Sequence, residues 1–332
     1  MIIHLKSGIG REKAGQMACE LKAVHLMNGS DNVLVTSSNV KLVDAKYDDV
    51  IGEKFIFPDD LQLGSRQYRK KTREILIGNI LIGGDSGHTL VVTGPCSVES
   101  EEQIETMAKL CVDLGIGMLR GGAFKPRTSP YTFQGLGMDG LKLLAKMREK
   151  YGLKIISEVR DATHIEEVIE YADVIQIGAK SMYDHGILRR CGTAGKPIMI
   201  KRGFGTLLQE FVQAAEFILS GGNENVILCE RGIRTFENKT RFTLDLCGVS
   251  YLKEKTNLPI ILDPSHAIGY AYGVPDLTRA CIAMGVDGVI IETHPDPKAA
   301  LSDASQQLNP DEFRKLYQTL GPVTSAIGRK IV

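Results

Sequence analysis

From about residue 88 onward the chain repeats one pattern: a short apolar run, a polar turn and a longer segment with helical periodicity. The apolar runs are residues 89–93, 116–120, 154–159, 173–177, 197–201, 225–229, 259–263 and 287–292. Strands that are almost continuously apolar are typical of a parallel sheet covered on both faces. Eight strand–helix units in about 240 residues favour a (β/α)8 barrel, or TIM barrel, over an open doubly wound sheet.

Two smaller segments precede the predicted barrel. Residues 73–87 hold two apolar triplets around Gly78 and Asn79, which is the signal of a β-hairpin, and we expect this hairpin to plug the N-terminal mouth of the barrel. Residues 1–66 predict a small ferredoxin-like α+β domain, with a strand at 2–5, a helix at 11–26 and short strands near 33–35, 40–43 and 54–57. The predicted domains are therefore 1–66 and, for the hairpin with the catalytic barrel, 67–332.

Composition excludes several classes of partner. Forty basic and forty acidic residues cancel, so neither nucleic acid nor an anionic membrane surface is expected to bind. No apolar run approaches the roughly 20 residues that span a bilayer, and the N-terminus has no signal-peptide pattern. Seven irregularly spaced cysteines predict free thiols in a cytoplasmic protein. Six of them fall in periodic apolar segments and are expected in the core: Cys19, Cys111, Cys191, Cys229, Cys247 and Cys281.

Side chains that can bind a metal stand at, or just after, the ends of predicted strands: Cys96, His266, Glu292 and Asp303. Because a parallel barrel gathers the carboxyl ends of its strands on one rim, we expect these side chains to meet. A thiolate, an imidazole and two carboxylates suit a divalent transition metal such as manganese, iron or zinc better than calcium or magnesium. Such a site predicts metal-assisted carbonyl chemistry. The alternative for His266 is a hydrogen-bonded rim histidine.

Cations also recur after the predicted strands. Residues 120–130 combine glycines and hydroxyls with Arg120, Lys125 and Arg127, a composition typical of an anion-binding loop. Further cations follow later strands: Lys180, Lys201, Arg202, Arg231 and Arg234. In a chain without net charge this clustering predicts a pocket for several anionic groups, such as two phosphates and a carboxylate. A solvated charged face is the alternative.

Taken together, these motifs resemble those of the type Iβ 3-deoxy-D-arabino-heptulosonate 7-phosphate (DAHP) synthases, over roughly residues 66–332. The similar segments are 94–99, 119–122, 125–131, 133–135, 177–179, 201–203, 229–232, 263–266, 292–295 and 300–303. The resemblance implies a metal-dependent barrel that condenses phosphoenolpyruvate with D-erythrose 4-phosphate and releases phosphate. This reaction is the first step of the shikimate pathway, which leads to the aromatic amino acids.

The resemblance also implies roles for individual residues. The family's metal ligands fall on Cys96, His266, Glu292 and Asp303, and Lys125, Cys96 and His266 are the expected catalytic residues. The phosphoenolpyruvate contacts fall on Arg120, Lys125, Lys201 and Arg231, with Lys180 where arginine is usual and Glu158 near the phosphate. Arg127 and Thr128 match residues that hold the phosphate of erythrose 4-phosphate. Lys180 loses the bidentate fork of arginine, and residues 267–272 lack a basic pair that often follows the histidine.

Three other functions fit parts of the pattern. The sister enzyme 3-deoxy-D-manno-octulosonate 8-phosphate synthase uses D-arabinose 5-phosphate, but its corresponding loop lacks the uninterrupted Lys-Pro-Arg-Thr found at 125–128. A Schiff-base aldolase would use Lys201 or Lys180 as its nucleophile, which leaves Cys96 and His266 without a role. The third is a non-catalytic, anion-binding regulatory protein.

The N-terminal unit has its own predicted role. In related synthases such a domain mediates inhibition by tyrosine or phenylalanine, so residues 1–66 are expected to form a regulatory module that binds an aromatic amino acid. A cap on the barrel or an oligomerisation element is the alternative. The resemblance also implies a homotetramer.

Overall fold

The N-terminal residues form a small antiparallel sheet with one helix on it, in a computed structural model that describes residues 1–125, 129 and 131–332. Its elements are β1 (Ile2–Leu5), α1 (Arg11–Leu21), β2 (Val24–Asn28), β3 (Asp31–Val35) and β4 (Ile51–Phe55). The strand order is β2-β3-β1-β4 and every pair is antiparallel. This is the expected ferredoxin-like order, with the second helix reduced to the 3₁₀ turn Ala45–Tyr47.

Two details of the prediction for this unit are wrong. The helix ends at Leu21 instead of residue 26, because Lys22 adopts a left-handed conformation (φ 51°) that a helix cannot continue. The chain then enters β2, whose residues pair with β3. Residues 40–43 do not form the expected strand.

The hairpin consists of β5 (Glu74–Ile77) and β6 (Ile80–Gly83), joined at Gly78, whose φ of 64° suits glycine. Its alternate residues Ile75, Ile77, Ile80 and Ile82 are buried. They pack in one cluster with residues from all eight barrel strands, among them Leu90, Met118, Val174 and Ile261. The hairpin therefore plugs the N-terminal mouth of the barrel, as expected.

Within the described part of the chain, eight parallel strands pair each with the next, and the last pairs with the first to close the barrel. They are β7 (His88–Gly94), β8 (Met118–Arg120), β9 (Lys154–Val159), β10 (Val174–Ile177), β11 (Ile198–Lys201), β12 (Val226–Glu230), β13 (Ile260–Leu262) and β14 (Gly288–Glu292). The short strand β15 (Lys330–Ile331) pairs with the start of β7. The predicted (β/α)8 barrel is confirmed.

Helices follow the barrel strands and cover the outside of the barrel. They are α2 (Glu101–Asp113), α3 (Met138–Tyr151), α4 (Ile165–Tyr171), α5 (His185–Cys191), α6 (Leu208–Leu219), α7 (Leu246–Lys255), α8 (Pro264–Ile268), α9 (Val274–Ala283) and α10 (Pro310–Ala326). No helix in the described ranges is long and apolar enough to cross a membrane. All seven cysteines are described and free, but Cys19 and Cys247 are exposed, so placing them in the core was wrong.

The N-terminal unit is fixed to the barrel through the linker between them. The carboxylate of Glu216, on α6, accepts hydrogen bonds from the backbone N–H groups of Gln62, Leu63 and Gly64 at 2.9, 3.2 and 2.7 Å. The amide of Asn257 donates to the carbonyl oxygen of Leu63 at 2.9 Å. These bonds satisfy N–H groups as well as a carbonyl group of the linker backbone, so the barrel surface holds the linker against it.

Candidate active site

The side chains predicted to bind a metal meet at the carboxyl rim of the barrel. Cys96 follows β7, His266 lies on α8 just after β13, Glu292 ends β14, and Asp303 lies in the loop beyond it. The Cys96 Sγ is 3.3 Å from Asp303 Oδ2, and His266 Nε2 is 3.5 Å from Glu292 Oε1 and 3.6 Å from Asp303 Oδ2. Ligating atoms of Cys96, Glu292 and Asp303 all lie within 4.8 Å of one another.

These separations and atom types fit one metal ion. With metal–ligand bonds of about 2.0–2.3 Å, neighbouring ligand atoms around one ion lie roughly 3.3–3.8 Å apart, and three of the six pairs here are 3.3–3.6 Å apart: Cys96–Asp303, His266–Glu292 and His266–Asp303. A thiol, an imidazole and two carboxylates converge here in a largely buried place, where carboxylates need positive charge close by. The donor set therefore suits a divalent transition metal.

Asp263 sets the orientation of His266. It is the N-cap of α8, where its Oδ1 accepts the His266 backbone N–H at 3.0 Å, and its Oδ2 lies 2.7 Å from His266 Nδ1. Lys201 Nζ donates to the same Oδ2. Burial opposes ionisation of Asp263, but His266 and Lys201 outweigh it and hold its pKa well below the usual value. Burial lowers the pKa of His266, so a neutral ring that donates through Nδ1 presents the Nε2 lone pair to the carboxylates.

A second set of hydrogen bonds joins the loop that carries Asp303 to the loop that carries Cys96. Gln307 accepts the Cys96 backbone N–H at 3.0 Å and donates to the carbonyl oxygen of Ser302 at 2.9 Å. The hydroxyls of Ser97 and Ser302 are 2.6 Å apart. Asp303 itself has a φ of 44°, a left-handed conformation that is uncommon outside glycine. The network therefore holds a strained backbone where the Asp303 carboxylate meets the thiol.

Two buried cations balance the negative charge of this cluster. Arg120 donates through Nη1 to Glu292 Oε1 and through Nη2 to the Cys96 carbonyl oxygen at 3.2 Å. Lys125 Nζ lies 3.0 Å from the same carbonyl oxygen and 3.2 Å from the Cys96 Sγ. Burial and the nearby Glu292 carboxylate raise the pKa of Cys96 to about 12. Burial disfavours the Lys125 ammonium, but Cys96 and Glu158 outweigh it and raise the pKa of Lys125.

A cavity of about 120 Å³ opens beside the cluster. It is lined by Lys125, Glu158, Gly178, Ala179, Lys180, Lys201, Phe204, Arg231, Arg241, Phe242, His266 and Asp303. The structure thus brings predicted substrate-binding cations that follow four different strands to one cavity. Arg120 lies at the same rim, where it pairs with Glu292. The remaining predicted contacts, Arg127 and Thr128, lie outside the described residues.

Arg202 does not belong to this cavity. Its Nη1 is 3.0 Å from Glu230 Oε2 and 2.8 Å from Asp245 Oδ2, and its other nitrogens donate to the Thr206 carbonyl oxygen. Grouping Arg202 with the anion-binding cations was therefore wrong. Lys201 faces the cavity, and the next residue, Arg202, points away from it, as successive side chains of a strand do.

Sequence reasoning missed four residues of the site. Asp263 comes directly before Pro-Ser-His at a strand end. That motif predicts a role for the histidine but none for the aspartate. Arg241 and Phe242 lie in the long loop between β12 and α7, far from any strand end in sequence. Arg241 reaches Asp303 Oδ1 at 3.3 Å, and Gln307 gives no sequence signal at all.

Comparison with known proteins gives consistent matches. The family model described as the DAHP synthetase I family matches residues 61–329. The phospho-2-dehydro-3-deoxyheptonate aldolase of Thermotoga maritima is 43% identical over 346 residues, with 100% of both chains covered. A 2-dehydro-3-deoxyphosphooctonate aldolase of Stenotrophomonas maltophilia is 32% identical over 69% of this chain and 89% of that one.

Solved structures agree with these matches. The crystal structure of the Thermotoga maritima DAHP synthase superposes with a TM-score of 0.81 at 37% identity, covering 100% of this chain and 99% of that one. A truncated form of the synthase from the same organism covers 81% of this chain and 98% of its own, with a TM-score of 0.76 at 40% identity.

Proposed function

This chain belongs to the DAHP synthetase I family, and from that membership we propose that it condenses phosphoenolpyruvate with D-erythrose 4-phosphate to give DAHP and phosphate. The observation that carries the proposal is the 43% identity to the heptonate aldolase over the full length of both chains. The octonate aldolase match is weaker and covers 69% of this chain. The cation-lined cavity beside the cluster of metal-binding side chains supports a reaction between two anionic substrates.

We propose that the reaction depends on a divalent metal ion held by Cys96, His266, Glu292 and Asp303. When bound there, such an ion supplies Lewis-acid polarisation of the aldehyde oxygen. The support is the sulfur, nitrogen and oxygen donor set, together with the 3.3–3.6 Å separations of Asp303 from Cys96 and of His266 from both carboxylates. Manganese, iron and zinc all suit these donors.

The protein's own groups bind and orient the substrates. Arg231 and Lys180 are proposed to hold the phosphate of phosphoenolpyruvate, and Lys201 with Arg120 its carboxylate. Glu158 is proposed to lie near that phosphate, and Arg127 with Thr128 to bind the phosphate of erythrose 4-phosphate. Holding both substrates fixes C3 of phosphoenolpyruvate against the aldehyde carbon, which replaces a bimolecular encounter by an intramolecular one.

Lys125 is proposed to act at the reacting atoms. Its ammonium lies between Cys96 and the cavity, and it is charged at neutral pH because its pKa is raised. It can therefore stabilise negative charge that develops on the aldehyde oxygen and donate a proton to it. The C3–C1 bond forms, water adds at C2, and the resulting hemiketal phosphate loses phosphate by C–O cleavage.

The decisive experiment measures phosphate release with phosphoenolpyruvate and either D-erythrose 4-phosphate or D-arabinose 5-phosphate. We expect turnover with the four-carbon sugar, loss of turnover with a chelator, and recovery when single metals are added back. Cys96→Ala should abolish recovery while the protein stays folded. Turnover with D-arabinose 5-phosphate alone would favour the octonate aldolase function, and borohydride trapping on Lys201 or Lys180 without chelator sensitivity would favour a Schiff-base aldolase.

We propose in addition that residues 1–66 form a regulatory domain for an aromatic amino acid, and that the protein is a homotetramer in the cytoplasm. The ferredoxin-like strand order and the linker bonded to Glu216 support a coupled domain. Turnover of the full chain should fall with tyrosine or phenylalanine, and light scattering should give the mass of four chains. Insensitivity to both amino acids would leave a capping or oligomerisation role.

A further inference from the structure

Two aromatic rings lie against guanidinium groups at the wall of the cavity. The Arg231 guanidinium carbon is 4.6 Å from the centroid of the Phe242 ring, and that of Arg234 is 4.5 Å from the centroid of Phe204. The two rings stack on each other with centroids 5.5 Å apart and planes inclined by 20°. Phe204, Phe242 and Arg231 all line the cavity. Both cation–ring distances are within the range of an attractive cation–π interaction.

The Arg231 guanidinium is buried and has hydrogen-bond donors to spare. Arg231 is 6% exposed, and its Nε and Nη1 atoms have no hydrogen-bond partner among the described residues. Buried donors without partners are rare because each one costs free energy. Since Arg231 lines the cavity, the unpaired N–H groups indicate a ligand with anionic oxygens.

Other buried arginines of this chain are held differently. Arg202 pairs with Glu230 and Asp245, and Arg120 pairs with Glu292. A carboxylate partner accepts N–H hydrogens and offsets the positive charge, so it takes up some of the donors that such an arginine could offer to a ligand. An aromatic face attracts the cation without accepting its N–H hydrogens. Phe242 therefore holds Arg231 and leaves its donors available.

We propose that Phe242, stacked on Phe204, is a positioning residue that aims the Arg231 guanidinium at the phosphate group of the phosphoenolpyruvate substrate. The identity of that substrate rests on the proposed function, whereas the requirement for an anionic oxygen ligand rests on the geometry alone. The ring acts through Arg231 and does not itself donate to the ligand. Its removal should weaken phosphate binding without removing a hydrogen bond.

The test compares Phe242→Leu with Phe242→Tyr, which keeps the ring, and with Phe236→Leu, a control in the same loop whose side chain is fully exposed. Binding of inorganic phosphate is measured by calorimetry, together with KM and kcat for phosphoenolpyruvate and the unfolding temperature. We expect Phe242→Leu to weaken phosphate binding and raise KM by about tenfold, with a much smaller change in kcat. Phe242→Tyr, which keeps the ring, should have the phosphate affinity and the KM of the wild type.

A double-mutant cycle shows whether the ring acts through Arg231. In an Arg231→Met background, Phe242→Leu should have no further effect on phosphate binding, because the group it positions is gone. Additive effects, or a Phe242→Leu protein that binds phosphate as Phe236→Leu does, would overturn the proposal. The calorimetry does not depend on turnover, so a wild-type protein that binds phosphate through Arg231 but does not use phosphoenolpyruvate would refute only the proposed function.

Discussion

Replacing Asp263 by asparagine tests how the barrel prepares His266 for a metal. The amide oxygen of the new side chain can still accept the His266 backbone N–H, so the N-cap of α8 is kept. The amide cannot accept both from the His266 Nδ1–H and from the Lys201 ammonium, as the carboxylate does. If the amide donates to Nδ1, the ring proton moves to Nε2, which then faces Glu292 and Asp303 as a donor instead of a lone pair.

Two effects of different size follow from this geometry. Loss of the orienting carboxylate should lower metal affinity about 10- to 100-fold. Lys201 is 4% exposed and loses its anionic partner, so the free energy of unfolding should fall by about 3 kcal/mol. Adding Lys201→Met removes the unpaired charge and should recover most of the stability, but it cannot restore the tautomer of His266.

The assay measures zinc or cobalt affinity by competition with a chromophoric chelator, and stability by urea unfolding of the metal-free protein. Metal affinity should be low in both Asp263→Asn and Asp263→Asn/Lys201→Met, while stability is low only in the single variant. Wild-type metal affinity in the single variant would refute the role of Asp263. Recovery of metal affinity by Lys201→Met would show that the loss came from instability.

Two further predictions concern the fold around the site. Ile82→Ala removes a fully buried side chain from the barrel plug and should lower the free energy of unfolding by about 2–4 kcal/mol in urea, whereas Leu76→Ala, on the exposed face of the same hairpin, should cost under about 0.5 kcal/mol. Burial raises the pKa of Glu216 to about 7, so the folded state retains a proton that the unfolded state has lost, and this group lowers stability as pH rises from about 5 to 7. Glu216→Gln should flatten that part of the curve of unfolding free energy against pH, and an unchanged slope would contradict the assignment.

The parts of the site that were predictable share one physical origin. Cys96, His266 and Glu292 stand at strand ends, and closure of a parallel barrel brings all such ends to one rim. Position along the chain therefore predicted position in space. Side chains alternate at the end of a strand, so Lys201 and Arg202 point to opposite sides of the barrel wall. The prediction that put both in the cavity ignored this alternation, and Arg202 instead pairs with Glu230 and Asp245. The early end of α1 was not predictable from apolar spacing, because β2 pairs with β3 through backbone bonds.

The parts of the site that were not predictable lie in long loops, because the sequence of a long loop does not show which of its residues reach the cavity. Residues 267–272 lack the basic pair expected near the sugar-phosphate end, and Tyr270 and Tyr272 instead stack on each other with 44% and 75% of their surface exposed. Judged from that loop alone, the sugar-phosphate end of the site should carry less positive charge than is usual in the family. Arg241, from the loop after β12, nevertheless reaches the cavity and pairs with Asp303. Because every rim loop of a barrel borders the same cavity, the charge of the site is a property of all these loops together, and a cation absent from one loop is not thereby absent from the site.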